Sequence, residues 1–100
     1  MLQYILNSKK DMKIQFLFKE FYDKNLKTIS EKELRKYIML IFGSNRITIF
    51  NYLKTFEDLG FITIFEDRTK GEDNFIWHKL NYSEVDNYLK KIQELEMRGL

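Results

Sequence analysis

GSNRITIFNYLKTFEDLGFI, residues 43–62, starts as a polar cap, continues as a helix and ends in a strand-like pair. At about 100° per residue, Ile49, Tyr52, Leu53, Phe56 and Leu59 fall on one face, a stripe wide enough to seat the helix on a core. Ser44 or Asn45 starts it and Gly60 closes it. The opposite face carries Ile47, Phe50, Asn51 and Lys54, with Arg46 at the flank of the first turn. An ordinary solvated face alternates acids and bases. Here Glu57 and Asp58 are held back to the last turns, and the N-terminal half is free of acid. Such a half-helix approaches phosphate without repulsion, and its exposed N–H groups favour an anion. The same face also suits packing on a protein partner through Ile47 and Phe50.

Serines divide the rest of the chain. Ser8 with Asp11, Ser30 with Glu33 and Ser83 with Asp86 each place an acid three residues after a candidate cap. The first predicted helix runs from about Ser8 to Lys24 and buries Ile14, Leu17, Phe18 and Phe21. The second starts at Ser30, turns Leu34, Tyr37, Ile38 and Ile41 inward, and ends near Gly43. After the helix over about 45–59, FITIFED and NFIWHKL flank RTKGED and read as a β-hairpin. A last helix runs from Ser83 onward. Upstream of Ser8, LQYIL fits a strand or a helical turn equally well. The expected order is helix, helix, helix, hairpin, helix: a mostly α fold with a small β-hairpin, in a single domain over 1–100.

The 100 residues carry a net charge of +2, with 44% hydrophobic and 32% charged side chains, which favours a folded domain over a disordered chain. There is no cysteine, so disulfides and thiolate metal sites are excluded and a cytoplasmic home is expected. The longest apolar run, YIMLIF at 37–42, is too short to span a bilayer. Asn, Lys, Ile, Phe and Tyr abound, a usage that fits a low-GC genome.

Residues 30–80 resemble the winged helix-turn-helix family. The recognition helix of that family commonly reads as a small polar cap, Arg, a small residue, Thr and Val, then Leu four on and Gly-Leu-Ile at the exit. Asn45, Arg46, Thr48, Ile49, Leu53, Glu57, Gly60, Phe61 and Ile62 stand in that register here. TISEKEL resembles the start of the family's positioning helix, and the hairpin follows where its wing belongs. Two departures stand out. About four extra residues, within YIMLIFG, separate Leu34 from the Asn45 cap. The segment EDRTKGED holds four acids against Arg68 and Lys70, where a DNA-binding wing is usually positive.

The resemblance implies sequence-specific binding of double-stranded DNA, with the helix over about 45–59 in a major groove wide enough to admit it. Arg46 and Asn51 are the expected base readers, since Arg bonds guanine bidentately and Asn adenine. Ile47 or Phe50 would touch a thymine methyl. Thr28, Ser30, Thr48, Lys54 and Arg35 would fix register on phosphates, with Arg68 and Lys70 at the wing tip. Over residues 30–55 five bases stand against two acids, a local +3 that exceeds the charge of the whole chain. Capping alone explains Ser30 equally well, and solvation explains Arg35 and Lys54.

In the last helix Val85, Tyr88, Ile92 and Leu95 repeat at spacings of three and four, with Leu89 broadening the seam. Such a seam docks on its own domain or pairs with its copy. Many small winged-helix regulators resemble this layout and dimerise through terminal helices, which implies a homodimer, two reading helices about 34 Å apart and a palindromic site. That is the pattern of a transcriptional regulator from a low-GC prokaryote, an archaeon or one of their viruses or plasmids. A plasmid or viral replication or partition factor shares the same chemistry. The lone His78, in a strand pattern without cysteine or a second histidine, argues against a metal or catalytic centre. No phosphate-cradling or dinucleotide-binding glycine loop occurs. No enzyme activity, cofactor or small-molecule ligand is expected.

Overall fold

The computed structural model describes residues 1–70 and 75–99. Helix α1 (Lys9–Asp23) leads into a short strand β1 (Thr28–Ser30), then helices α2 (Glu31–Phe42) and α3 (Arg46–Asp58). Strand β2 (Ile62–Glu66), a 3₁₀ turn over Arg68–Lys70, strand β3 (Ile76–Leu80) and helix α4 (Tyr82–Met97) complete it. The fold is mostly helical, with a three-stranded antiparallel sheet in the order β1-β3-β2.

Local chemistry sets three of the helix starts. Ser8 Oγ accepts from the Asp11 amide, Ser30 Oγ from the Glu33 amide and Asn45 Oδ1 from the Ile47 amide, each satisfying a donor that the first turn leaves open. At the exits, Gly43 (φ 142°) and Gly60 (φ 78°) take a backbone conformation that side chains disfavour, and there α2 and α3 stop.

The expected cap at Ser83 is corrected: α4 starts at Tyr82, with Asn81 as its flanking residue. The Asn81 amide group is committed elsewhere. Its Nδ2 donates to Gly60 O at 2.9 Å and to Thr63 Oγ1 at 3.0 Å, and its backbone N–H donates to Phe61 O. One residue thereby ties the end of α3 and the start of β2 to α4. β1 was not expected at all. It pairs Thr28 with Lys79, Ile29 with His78 and Ser30 with Trp77, so the residue that caps α2 also ends a strand. β2 pairs on the other edge of β3, Ile62 opposite Leu80 and Ile64 opposite His78.

The core is aromatic at its centre. Phe18 of α1 meets Phe21, Phe56 and Phe61 edge to face, with centroids 5.3–5.7 Å apart. Such pairs contribute about 0.5–1.5 kcal/mol each beyond burial. Ile14, Leu17, Phe18, Phe21, Leu34 and Ile38 are all buried, as their spacing predicts. On the α3 stripe Tyr52 is half-buried and Leu59, the residue just past the helix, is exposed.

Residues 2–7 form neither strand nor helical turn but an irregular strap. Side chains of the neighbouring helices take over its hydrogen bonding. The Leu2 amide donates to Asp86 Oδ1, the Ile5 amide to Gln93 Oε1 and the Asn7 amide to Glu96 Oε2 on α4. On α1, Gln15 both accepts from the Tyr4 amide and donates to the Tyr4 carbonyl. Leu2 and Leu6 are buried beneath it.

Candidate nucleic-acid interface

Helix α3 is anchored on one side and open on the other. Ile49, Leu53 and Phe56 are buried, and Tyr52 stacks on Phe42 of α2 with ring centroids 4.0 Å apart. Arg46, Asn51 and Lys54 are exposed, as are Ile47 (69%) and Phe50 (60%). Thr48 is half-buried at the α2–α3 turn, near Gly43. No acid occurs in the first turn of α3. The expected reading face is therefore solvent-facing and held rigidly from behind.

The surrounding positive charge is distributed differently from the expectation. Arg35 Nε lies 3.6 Å from Glu31 Oε2, and Lys36 Nζ lies 3.3 Å from Glu33 Oε1. The +3 of residues 30–55 consequently resides on Lys32, Arg46 and Lys54, which form no ion pair among the described residues. Between α2 and α3 an open groove of about 310 Å³ is lined by Glu31, Arg35, Phe50, Leu53, Lys54, Glu57 and Asp58. Three acids against two bases make it a poor seat for phosphate. Ser30 is buried (6%) and its hydroxyl is used as the α2 cap, which removes it from the set of expected phosphate contacts.

Between β2 and β3, Arg68 Nη2 pairs with Glu66 Oε2 at 3.3 Å and its guanidinium stacks 4.9 Å from the Phe75 ring. The Lys70 side chain and residues 71–74, which include Glu72 and Asp73 of the acidic segment, lie outside the described residues.

His78 occupies the middle of β3 and is 2% exposed. Its Nε2 lies 3.4 Å from Glu31 Oε1, and since a carboxylate only accepts, the imidazole N–H donates there. Glu31 is shared between His78 and Arg35. His78 Nδ1 has no partner among the described residues. Burial holds the imidazole below its ordinary value of 6.5, against the opposing pull of Glu31.

The seam of α4 is spent inside the chain. Val85 and Leu89 are fully buried, and the Tyr88 hydroxyl donates to Asp11 Oδ1 at 3.1 Å while its ring meets Phe61. Burial first, then Asp11, pushes the Tyr88 phenol up to about 12. Ile92 is half-buried, and only Leu95 is open at the end of the repeat. The expected assignment of Val85 and Leu89 to a dimer interface is therefore corrected, since both are covered within the chain, while Tyr88 is half-buried. The spacing that suits a second copy equally suits a helix of the same chain.

Sequence reasoning missed Lys10, whose Nζ lies 5.9 Å from the Tyr52 ring centroid and brings α1 charge to the flank of α3. The run Lys9, Lys10, Lys13 was the available signal. Among the described residues, no cluster of His, Asp or Glu is placed to hold a metal, and no helix is long and apolar enough to cross a membrane. No protein-family model, curated protein or solved structure matches the chain.

Proposed function

We propose that this chain is a double-stranded-DNA-binding protein of winged helix-turn-helix type, with α3 as the reading helix. One observation carries the reading: an acid-free first half of α3 presents Arg46, Asn51 and Lys54 to solvent while Ile49, Leu53 and Phe56 fix its other side in the core. The order of α2, α3 and a β2–β3 hairpin supports it. The extra residues of YIMLIFG lengthen α2, which continues to Phe42, and leave the short turn to Asn45 intact. Arg46 and Asn51 read base edges, while Lys54 and Lys32 meet phosphates. Two copies acting as a transcriptional regulator remain part of the proposal. Their contact falls on apolar side chains left open around the strap, Ile5, Phe16 and Met97, in place of the α4 seam.

A second reading has its own observation. Ile47 and Phe50 are large, apolar and open on the same face, as anchors in a protein-protein interface are. Titrating duplex DNA at several salt concentrations separates the two. A groove reader loses affinity steeply as salt rises, because each neutralised phosphate had released counterions. Absence of binding at low salt overturns the DNA reading in favour of the protein partner.

A further inference from the structure

We infer that the start of α1 forms a second phosphate-binding surface, in which Lys9, Lys10 and Lys13 grip the DNA backbone on the Tyr52 flank of α3, away from the acidic groove. This rests on the DNA-binding reading of α3.

Position comes first. Lys10 Nζ lies 5.9 Å from the centre of the Tyr52 ring, and two turns further along α1 the Phe18 ring meets Phe56 at 5.3 Å. As α1 runs from Lys10 to Phe18 it therefore passes α3 from Tyr52 to Phe56, so the beginning of α1 lies toward the N-terminal, reading end of α3. At 100° per residue Tyr52 shares its flank with Thr48 and Thr55, whereas Phe50, Leu53 and Glu57 line the groove toward α2. The groove flank of the reading helix is thus bordered by the first turns of α2, and the Tyr52 flank by Phe42 at the end of α2 and by Lys10 of α1.

Charge separates those flanks. Lys9, Lys10 and Lys13 are exposed and form no ion pair among the described residues. Further along α1, Lys19 is paired with Asp23 and Lys24 with Glu20. Asp11, the acid nearest the three lysines in sequence, is buried and accepts from the Tyr88 hydroxyl. On the groove flank, Glu31, Glu57 and Asp58 outnumber Arg35 and Lys54, and Glu31 already holds Arg35. A helix in the major groove, about 12 Å wide, has a phosphate strand on each side. The α1 side offers that strand three unneutralised ammonium groups. The groove side offers mostly carboxylate. The Tyr52 ring face attracts the Lys10 ammonium and holds it beside α3.

The test compares wild type with a Lys9→Gln, Lys10→Gln, Lys13→Gln triple variant. A second triple, Lys90→Gln, Lys91→Gln, Arg98→Gln, removes equal charge from α4 and the residue that follows it. Each binds a duplex selected from a random pool and a mixed-sequence duplex across a salt series, with thermal melting as a folding control. Each phosphate neutralised contributes about 0.9 to the slope of log affinity against log salt, so the α1 triple loses about 2 to 3 from that slope. Its preference for the selected duplex stays at the wild-type ratio, because phosphate contacts position without specifying. The α4 triple keeps nearly the wild-type slope. An unchanged slope in the α1 triple, or an equal fall in both triples, overturns this inference and leaves the α3 reading standing. A wild type without salt-dependent affinity overturns both.

Discussion

His78 and Arg35 share one carboxylate: Glu31 Oε1 lies 3.4 Å from His78 Nε2, while Glu31 Oε2 lies 3.6 Å from Arg35 Nε. The buried side chain at the centre of strand β3 is thereby tied to the first turn of α2. Desolvation, aided by Arg35, outweighs the upward pull of Glu31 and Glu57 and holds the imidazole pKa below 6.5. The folded state therefore binds this proton less readily than the unfolded chain does. The stability that the neutral imidazole contributes is fully present above pH 6.5 and is lost as pH falls through the lower folded value. Chemical denaturation from pH 7.5 down to about 5 is expected to show wild type weakening faster than His78→Leu. Parallel curves would remove the imidazole from the account.

Leu89 is expected to behave as a core residue and not as an interface residue. Leu89→Ala should cost about 2–5 kcal/mol, because a fully buried leucine leaves a cavity that only partly relaxes. The melting temperature should fall by the same amount at low and at high protein concentration. A fall that disappears at high concentration would mean that Leu89 lies between copies.

Asn81→Ala is expected to cost about 1–3 kcal/mol, since the Gly60 carbonyl and the Thr63 hydroxyl both lose a donor. Asn81→Asp keeps the shape but turns an acceptor toward the Gly60 carbonyl, and should be at least as damaging. Wild-type melting of the Asp variant would show that the side-chain amide is not what joins α3, β2 and α4.

On the proposed DNA-reading face, Arg46→Ala and Asn51→Ala are each expected to lose about 1–3 kcal/mol on a selected duplex and much less on a mixed one. Competition binding against random DNA measures the difference. Equal losses on both duplexes would confine the two side chains to phosphate contacts.

What could be read from the sequence was what is set locally. The caps at Ser8, Ser30 and Asn45 act within three residues, so a short window contains both donor and acceptor. The exposed face of α3 followed from its period. The Glu31–Arg35 pair was also within reach, because i and i+4 on a helix are neighbours. Other features depend on chain segments brought together from far apart. β1 is three residues long and exists only because Lys79, His78 and Trp77 lie opposite it. Ser83 looks like a cap, yet the start of α4 is fixed by Asn81 reaching back to Gly60 and Thr63. The period of Val85, Tyr88 and Ile92 reports that something covers the face, and carries no information on which chain does so. Lys10 joins the candidate site only through Tyr52, far along the chain.

The strap bonded to α4 also sets an order of events during synthesis. Leu2, Ile5 and Asn7 donate to Asp86, Gln93 and Glu96, so their partners leave the ribosome some ninety residues later. At roughly 5–20 residues per second that interval is on the order of 5 to 20 s. Throughout it the amides of Leu2, Ile5 and Asn7 have no α4 acceptor, and a translation product that stops before α4 leaves the strap without those bonds.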